Sequence, residues 1–177
     1  MVNKGFEVIE AHYLFDIPFD RIETVLHPQS IVHSMVEFQD GAVMAQLGSA
    51  DMRLPIQYAL MGPDRPRLEE ENRLDMTRTM TLEFREMDFD RFPILKTAYE
   101  AGRQGGSAGA VFNGADEEAV ALFLAGKIPF LKIEDAIRYA LKTVPFVADP
   151  DYGQLQECDR LAREAVRYGV SQDFRVE

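Results

Sequence analysis

Apolar and polar positions change their spacing three times along this chain. Phe6, Ile9, Tyr13 and Leu14 recur at helical intervals, which predicts an opening helix that fades at Asp16-Ile17-Pro18. Residues 31–39 then alternate, with Val32, Ser34, Val36 and Phe38 on one face and Ile31, His33, Met35 and Glu37 on the other, the period of a strand. Asp40-Gly41 predicts a type I′ hairpin turn, with residues 42–47 returning as a second strand and Gly48 ending it. Pro55 suits the first turn of a short helix that runs to Leu60 and closes at Gly62-Pro63. Residues 64–73 are nearly all charge and proline and offer no face to bury. After them Met80, Leu82 and Phe84 alternate with Thr81 and Glu83 as a short strand.

Beyond residue 88 the pattern is helical only. Pro93 opens one helix that runs to Gly105-Gly106, and another, which precedes or includes Asp116 as an expected N-cap for Glu117-Glu118-Ala119, ends at Gly126. A third spans residues 132–143 and stops before Pro145; the last, from about Tyr152 to Tyr168, carries the stripe Leu155, Leu161, Ala162, Ala165 and Val166. Short connections imply antiparallel neighbours and a small bundle. The expected fold class is α+β: a partial mixed α/β domain with a β-hairpin over residues 1–61, a connector over 62–87, and a small all-α helical bundle over 88–177.

Composition narrows the class of function. At 46% hydrophobic and 28% charged, the chain is an ordinary globular one. No apolar run is long enough for a membrane span, and the N-terminus lacks the basic-then-apolar layout of a secretory signal. The only cysteine, Cys158, excludes an internal disulfide and a Cys-rich zinc site, so a reducing, cytoplasmic setting is expected. Thirty acidic against nineteen basic residues give a net charge of −11, which argues against a nucleic-acid partner.

Candidate chemistry gathers at the start. If the first helix begins at Asn3, then Lys4 and Glu7 lie three apart and Asn3 and Glu7 four apart, so one turn presents all three on one face. An amide, a cation and a carboxylate there suit a phosphorylated, hydroxyl-bearing ligand together with a hard divalent metal. The plain alternative is an N-capping Asn3 and a surface Lys4–Glu7 pair worth about 0.2–0.5 kcal/mol. Polar groups recur in His27-Pro28-Gln29-Ser30, His33-Ser34-Met35, Gln39-Asp40-Gly41 and Asp51-Met52-Arg53. His12 and His27 read as structural, since three histidines without paired spacing do not form a zinc site. The glycines from Gly102 to Gly109 lack a preceding strand and the spacing of a dinucleotide-binding loop.

These stretches, with Asn3-Lys4-Gly5-Phe6-Glu7 in front and Ala45-Gln46-Leu47-Gly48, Asp90-Arg91-Phe92-Pro93 and Asn113-Gly114-Ala115-Asp116-Glu117 behind, resemble 1-deoxy-D-xylulose 5-phosphate reductoisomerases along the whole chain. The resemblance implies an NADPH-dependent rearrangement and reduction of that sugar phosphate to 2-C-methyl-D-erythritol 4-phosphate in non-mevalonate isoprenoid synthesis. It implies a Mg²⁺ or Mn²⁺ cofactor and a homodimer, with no nucleic-acid or membrane partner. By the same resemblance Glu7 is a metal ligand and catalytic, Lys4 is catalytic, and Asn3, Lys4, Glu7, Ser30 and His33 touch substrate. Met52 would pack near the nicotinamide; for His33 a backbone-bonded packing role, and for Met52 plain core filling, stay open. Ala50 stands where the family often has proline, and Asp116 where asparagine is commoner.

The family's Rossmann-type NADPH domain, its Asp-Ser-Glu metal motif and its substrate lid have no counterpart in this sequence. The chain is therefore expected to be truncated and inactive alone, with an exposed strand edge and apolar face. The contrasting expectation is a non-catalytic dimerisation or partner-binding module.

Overall fold

The computed structural model describes residues 1–68 and 73–174; part of the charged stretch anticipated as a polar connector, residues 69–72, lies outside the described residues. The described chain has six α-helices: α1 Val2–Phe15, α2 Arg53–Met61, α3 Pro93–Gln104, α4 Ala108–Leu124, α5 Lys132–Thr143 and α6 Tyr152–Ser171. Four short strands accompany them: β1 Val25–Leu26, β2 Val32–Glu37, β3 Val43–Leu47 and β4 Arg85–Glu86. The architecture is α+β. It divides into two compact units, Met1–Glu23 with Asp88–Glu177, and Thr24–Met87.

In the first unit α4 packs against α3, α5 and α6, and α1 lies on α3. Its core is built from small and branched side chains: Ala98, Phe112, Ala115, Ala119, Ala136, Ile137, Ala140, Ala162 and Val166 are all 0% exposed. Alanines at these positions let helix axes approach, and Phe112 fills the space they leave. Gly5 makes the closest such approach, for a Cβ built there would stand 2.5 Å from the Cβ of Ala98. Pro93 occupies the first turn of α3, where its missing N–H is no loss. A capping box opens α6: the Asp151 carboxylate accepts the Gln154 N–H at 2.8 Å while Gln154 Oε1 accepts the Asp151 N–H at 2.9 Å. Across α4 and α6, Arg163 pairs with Glu117 and Asp159, and Arg167 with Glu118.

Asp116 does not cap a helix. It lies inside α4, which starts eight residues earlier, at Ala108. Glycine, asparagine and aspartate over 113–116 are poor helix formers, and burial against α6 overrides their preference. The restart after Gly105-Gly106 is fixed by Ser107, which is 0% exposed: its N–H donates to the Val147 carbonyl and its Oγ accepts the Val147 N–H, both at 2.9 Å. Ser107→Ala is expected to strand that N–H and lower stability by about 1–3 kcal/mol in urea unfolding.

Burial raises the pKa of the half-buried Asp116, and repulsion from Glu117 adds to the rise while the Met1 α-ammonium opposes it. A carboxyl whose folded pKa exceeds its unfolded value weakens the fold as pH climbs from the unfolded value, about 3.9, through the folded one. Asp116→Asn is therefore expected to stabilise the chain at neutral pH. Thermal melts should show that gain disappearing as the medium is acidified below about pH 3.9.

In the second unit, β1 pairs with β4 and β2 with β3, each antiparallel. The hairpin turn differs from expectation. Phe38 N–H donates to Ala42 O at 2.8 Å and Gly41 N–H to Phe38 O at 2.9 Å, and within residues 39–41 only Gly41 has positive φ, at 83°. A type I′ turn needs positive φ at both central residues, whereas a three-residue loop needs it once. Asp40 instead accepts the Ala42 N–H with its carboxylate at 3.0 Å. The strand anticipated over residues 80–84 is also displaced: the ladder holds only Arg85 and Glu86. Both backbone groups of Glu83 are taken by side chains, its carbonyl by His27 Nδ1 at 2.8 Å and its N–H by Gln29 Oε1 at 3.2 Å.

Candidate functional site

The first group of candidate residues stands on the opening turn of α1. Gly5 and Val8 are buried, so the helix turns Asn3, Lys4 and Glu7 away from that packed face. The Lys4 ammonium donates to the Glu7 carboxylate, with side chains 40% and 55% exposed. Asn3 does not cap the helix: the N-cap is Met1, with no side-chain bond. One helical turn thus presents an amide, an ammonium and a carboxylate to solvent, the last two satisfying each other.

The second group belongs to the other unit. Ser30 closes the turn that leads into β2, with its N–H donating to His27 O at 3.1 Å and its backbone left-handed at φ 49°. His33 is the second residue of β2, exposed, and its Nε2 lies 3.3 Å from the Ser49 carbonyl. That contact joins β2 to the loop 48–52, whose end is Met52, the N-cap of α2 and 70% exposed. Asp51 fixes this loop by accepting from Arg53, backbone N–H and guanidinium together, and those bonds hold its carboxyl below the usual range. Ser30, His33 and the Met52 loop are therefore sequential neighbours along one connected path, and Asn3, Lys4 and Glu7 share one turn.

Among the described residues, no three acidic, histidine or cysteine side chains converge on a point. Glu7 is a hard oxygen donor of the kind Mg²⁺ or Mn²⁺ takes, yet one carboxylate is too few to hold either ion. Among the described residues the donor set does not by itself make a metal site. A groove of about 430 Å³ between α3 and α5, lined by Lys96, Thr97, Glu100, Arg138 and Lys142 among others, contains none of the candidates. His27, read as structural, has both ring nitrogens engaged beside Ser30. Periodicity could not flag it, because its partners are 4 and 56 residues away.

Comparison with known proteins shows the family. The model of the DXP reductoisomerase C-terminal domain matches residues 47–165. The chain is 54% identical over 166 residues to the 1-deoxy-D-xylulose 5-phosphate reductoisomerase of Exiguobacterium sibiricum, covering 94% of this chain and 43% of that protein. It is also 54% identical over 163 residues to that of Bacillus subtilis, with 92% and 43% covered. The Zymomonas mobilis reductoisomerase in complex with NADPH superposes with a TM-score of 0.86 at 42% identity, over 96% of this chain and 45% of that one. A reductoisomerase in complex with NADPH, fosmidomycin and magnesium superposes at 0.91, with 35% identity, over 100% of this chain and 45% of that one. The chain thus spans less than half the length of the curated relatives it matches. No helix among the described residues is long and apolar enough to cross a membrane. Agreement of sequence and fold over nearly every residue shows that this chain belongs to the DXP reductoisomerase family and corresponds to its C-terminal part.

Proposed function

We propose that this chain contributes the C-terminal share of a reductoisomerase that converts 1-deoxy-D-xylulose 5-phosphate to 2-C-methyl-D-erythritol 4-phosphate with NADPH, in the cytoplasm. The observation that carries the reading is the exposed Asn3, Lys4 and Glu7 turn in a chain so similar to such enzymes. Asn3 and Lys4 bind and orient the sugar phosphate through hydroxyl and phosphate oxygens, which is catalysis by positioning. Glu7 would supply one oxygen to a divalent ion whose other ligands would come from the part of the relatives that this chain does not match, and such an ion would polarise the substrate carbonyl. The Lys4–Glu7 pair is a resting state that ligands can open, since an exposed helical pair is worth only about 0.2–0.5 kcal/mol. Ser30 and His33 would add substrate contacts, and Met52 would offer a polarizable side chain to the nicotinamide.

In function, residues 1–61 then belong to the catalytic, dimer-forming part, and residues 62–87 lead to the bundle of 88–177. In packing, Met1–Glu23 joins that bundle, while residues 62–87 share a compact unit with 24–61. The hairpin supports dimerisation: Met35, Val36, Val43 and Met44 are 43%, 57%, 56% and 66% exposed on a sheet of two strands. A second reading, a dimerisation or partner-binding module without catalysis, draws on the same exposed residues. One experiment separates the two. The chain alone is expected to give no NADPH oxidation with substrate and Mg²⁺. Mixed with the complementary N-terminal part of the Bacillus subtilis relative, it is expected to restore the reaction, whereas a folded, associated but inactive mixture favours the module.

A further inference from the structure

We propose that His27 is the positioning residue of the candidate substrate turn. It holds the left-handed backbone of Ser30 and the start of the strand that carries His33. The proposal rests on the reading of Ser30 and His33 given above and names the group that organises them.

The turn is held from two sides. Within it, His27 O accepts the Ser30 N–H at 3.1 Å and His27 Nε2 accepts the next amide, Ile31 N–H, at 3.2 Å. Across from it, His27 Nδ1 lies 2.8 Å from the Glu83 carbonyl, and the ring stacks on Phe84 with centroids 4.6 Å apart and planes 13° from parallel. These contacts settle the ring's state. An amide N–H can donate only to a nitrogen with a free lone pair, so Nε2 is bare and the proton sits on Nδ1, where it is donated to Glu83 O. The neutral ring in this one tautomer satisfies both partners at once.

Ser30 needs such support. A non-glycine residue at φ 49° is strained and persists only where its surroundings over-determine it. Here the constraint falls on the residues either side of the strained one, through a rigid ring that is itself clamped by a stack. Gln29 adds a second tie to the same segment through the Glu83 N–H at 3.2 Å. Segment 83–84 thus acts as the anvil on which the 27–31 turn is shaped, and β2 leaves that turn at Val32 with His33 next in line.

Nitrogen NMR on the isotope-labelled full chain tests this directly. The expected spectrum shows His27 protonated on Nδ1, with a through-hydrogen-bond coupling between Nε2 and the Ile31 amide nitrogen. An Nε2-protonated ring overturns the proposal without any variant. His27→Gln keeps an acceptor where Nε2 stood and is expected to leave the Ser30 and His33 resonances near their wild-type positions. His27→Ala is expected to shift both and to speed Ile31 amide exchange about tenfold, the loss of one hydrogen bond, while resonances of α3 to α6 stay in place. Unmoved Ser30 and His33 resonances in His27→Ala overturn the proposal; should that variant fail to fold, the wild-type tautomer and His27→Gln still decide. In the mixture with the complementary N-terminal part, His27→Ala should lower kcat about a hundredfold, as misplacement of catalytic groups does, and leave KM for NADPH unchanged, with His27→Gln recovering most of it. An inactive wild-type mixture with the NMR result intact sinks the catalytic reading alone.

Discussion

Glu7→Gln, introduced into this chain and tested in the mixture with the complementary N-terminal part, is expected to lower NADPH oxidation by on the order of a hundredfold to a thousandfold. The amide keeps the size and hydrogen-bonding reach of the carboxylate and removes its charge. Loss of one anionic donor weakens a hard cation's hold and the carbonyl polarisation it supplies, a term worth several kcal/mol. Stability should hardly change, because the Lys4–Glu7 pair is exposed and contributes little. Titration with Mg²⁺ separates causes: the variant should need a higher concentration for half-maximal rate, whereas Lys4→Ala should raise KM for the sugar phosphate instead. An unchanged rate and metal requirement in Glu7→Gln sinks the assignment of that residue.

Phe112→Ala is expected to be the most destabilising truncation, by about 3–5 kcal/mol, out of a total that for a domain of this kind is about 5–15 kcal/mol. Phe112 is 0% exposed and is among the largest fully buried side chains. It also meets Phe6 edge to face at 5.3 Å, so its ring bridges the helical core and α1. The deletion leaves a cavity in a core rich in alanines, which have no side-chain length with which to fill it. Urea unfolding should show the midpoint moving down with an unchanged slope. A loss below about 1 kcal/mol would mean that α1 and α4 collapse into the space, contrary to the close packing seen here.

Much of the helical architecture was legible because local signals agreed with tertiary packing. Pro93 and Gly105 bound α3, and the stripe over Leu161, Ala162, Ala165 and Val166 faces the core. The shared face of Asn3, Lys4 and Glu7 also followed from spacing alone. The failures have a common cause in contacts distant along the chain. Asp116 looked like a cap because nothing nearby says that the helix already began at Ala108 and half-buries it. The strand near residue 80 failed because His27 and Gln29, more than fifty residues earlier, occupy Glu83's backbone. In β2 the alternation was real, but burial does not follow it: every residue from His33 to Glu37 is exposed on a sheet of two strands. How many donors surround Glu7 was not readable either, because spacing fixes direction on a helix and says nothing about what stands opposite.

The contact of Gly5 with Ala98 reaches beyond packing. Gly5 sits between Lys4 and Glu7, so the pressure of α3 on that bare backbone sets the azimuth of α1 about its own axis. The bundle thereby acts as a goniometer for the reactive turn. Bulk added at position 98, although on the far side of the helix from every charged group involved, would swing Lys4 and Glu7 together and detune them as a pair.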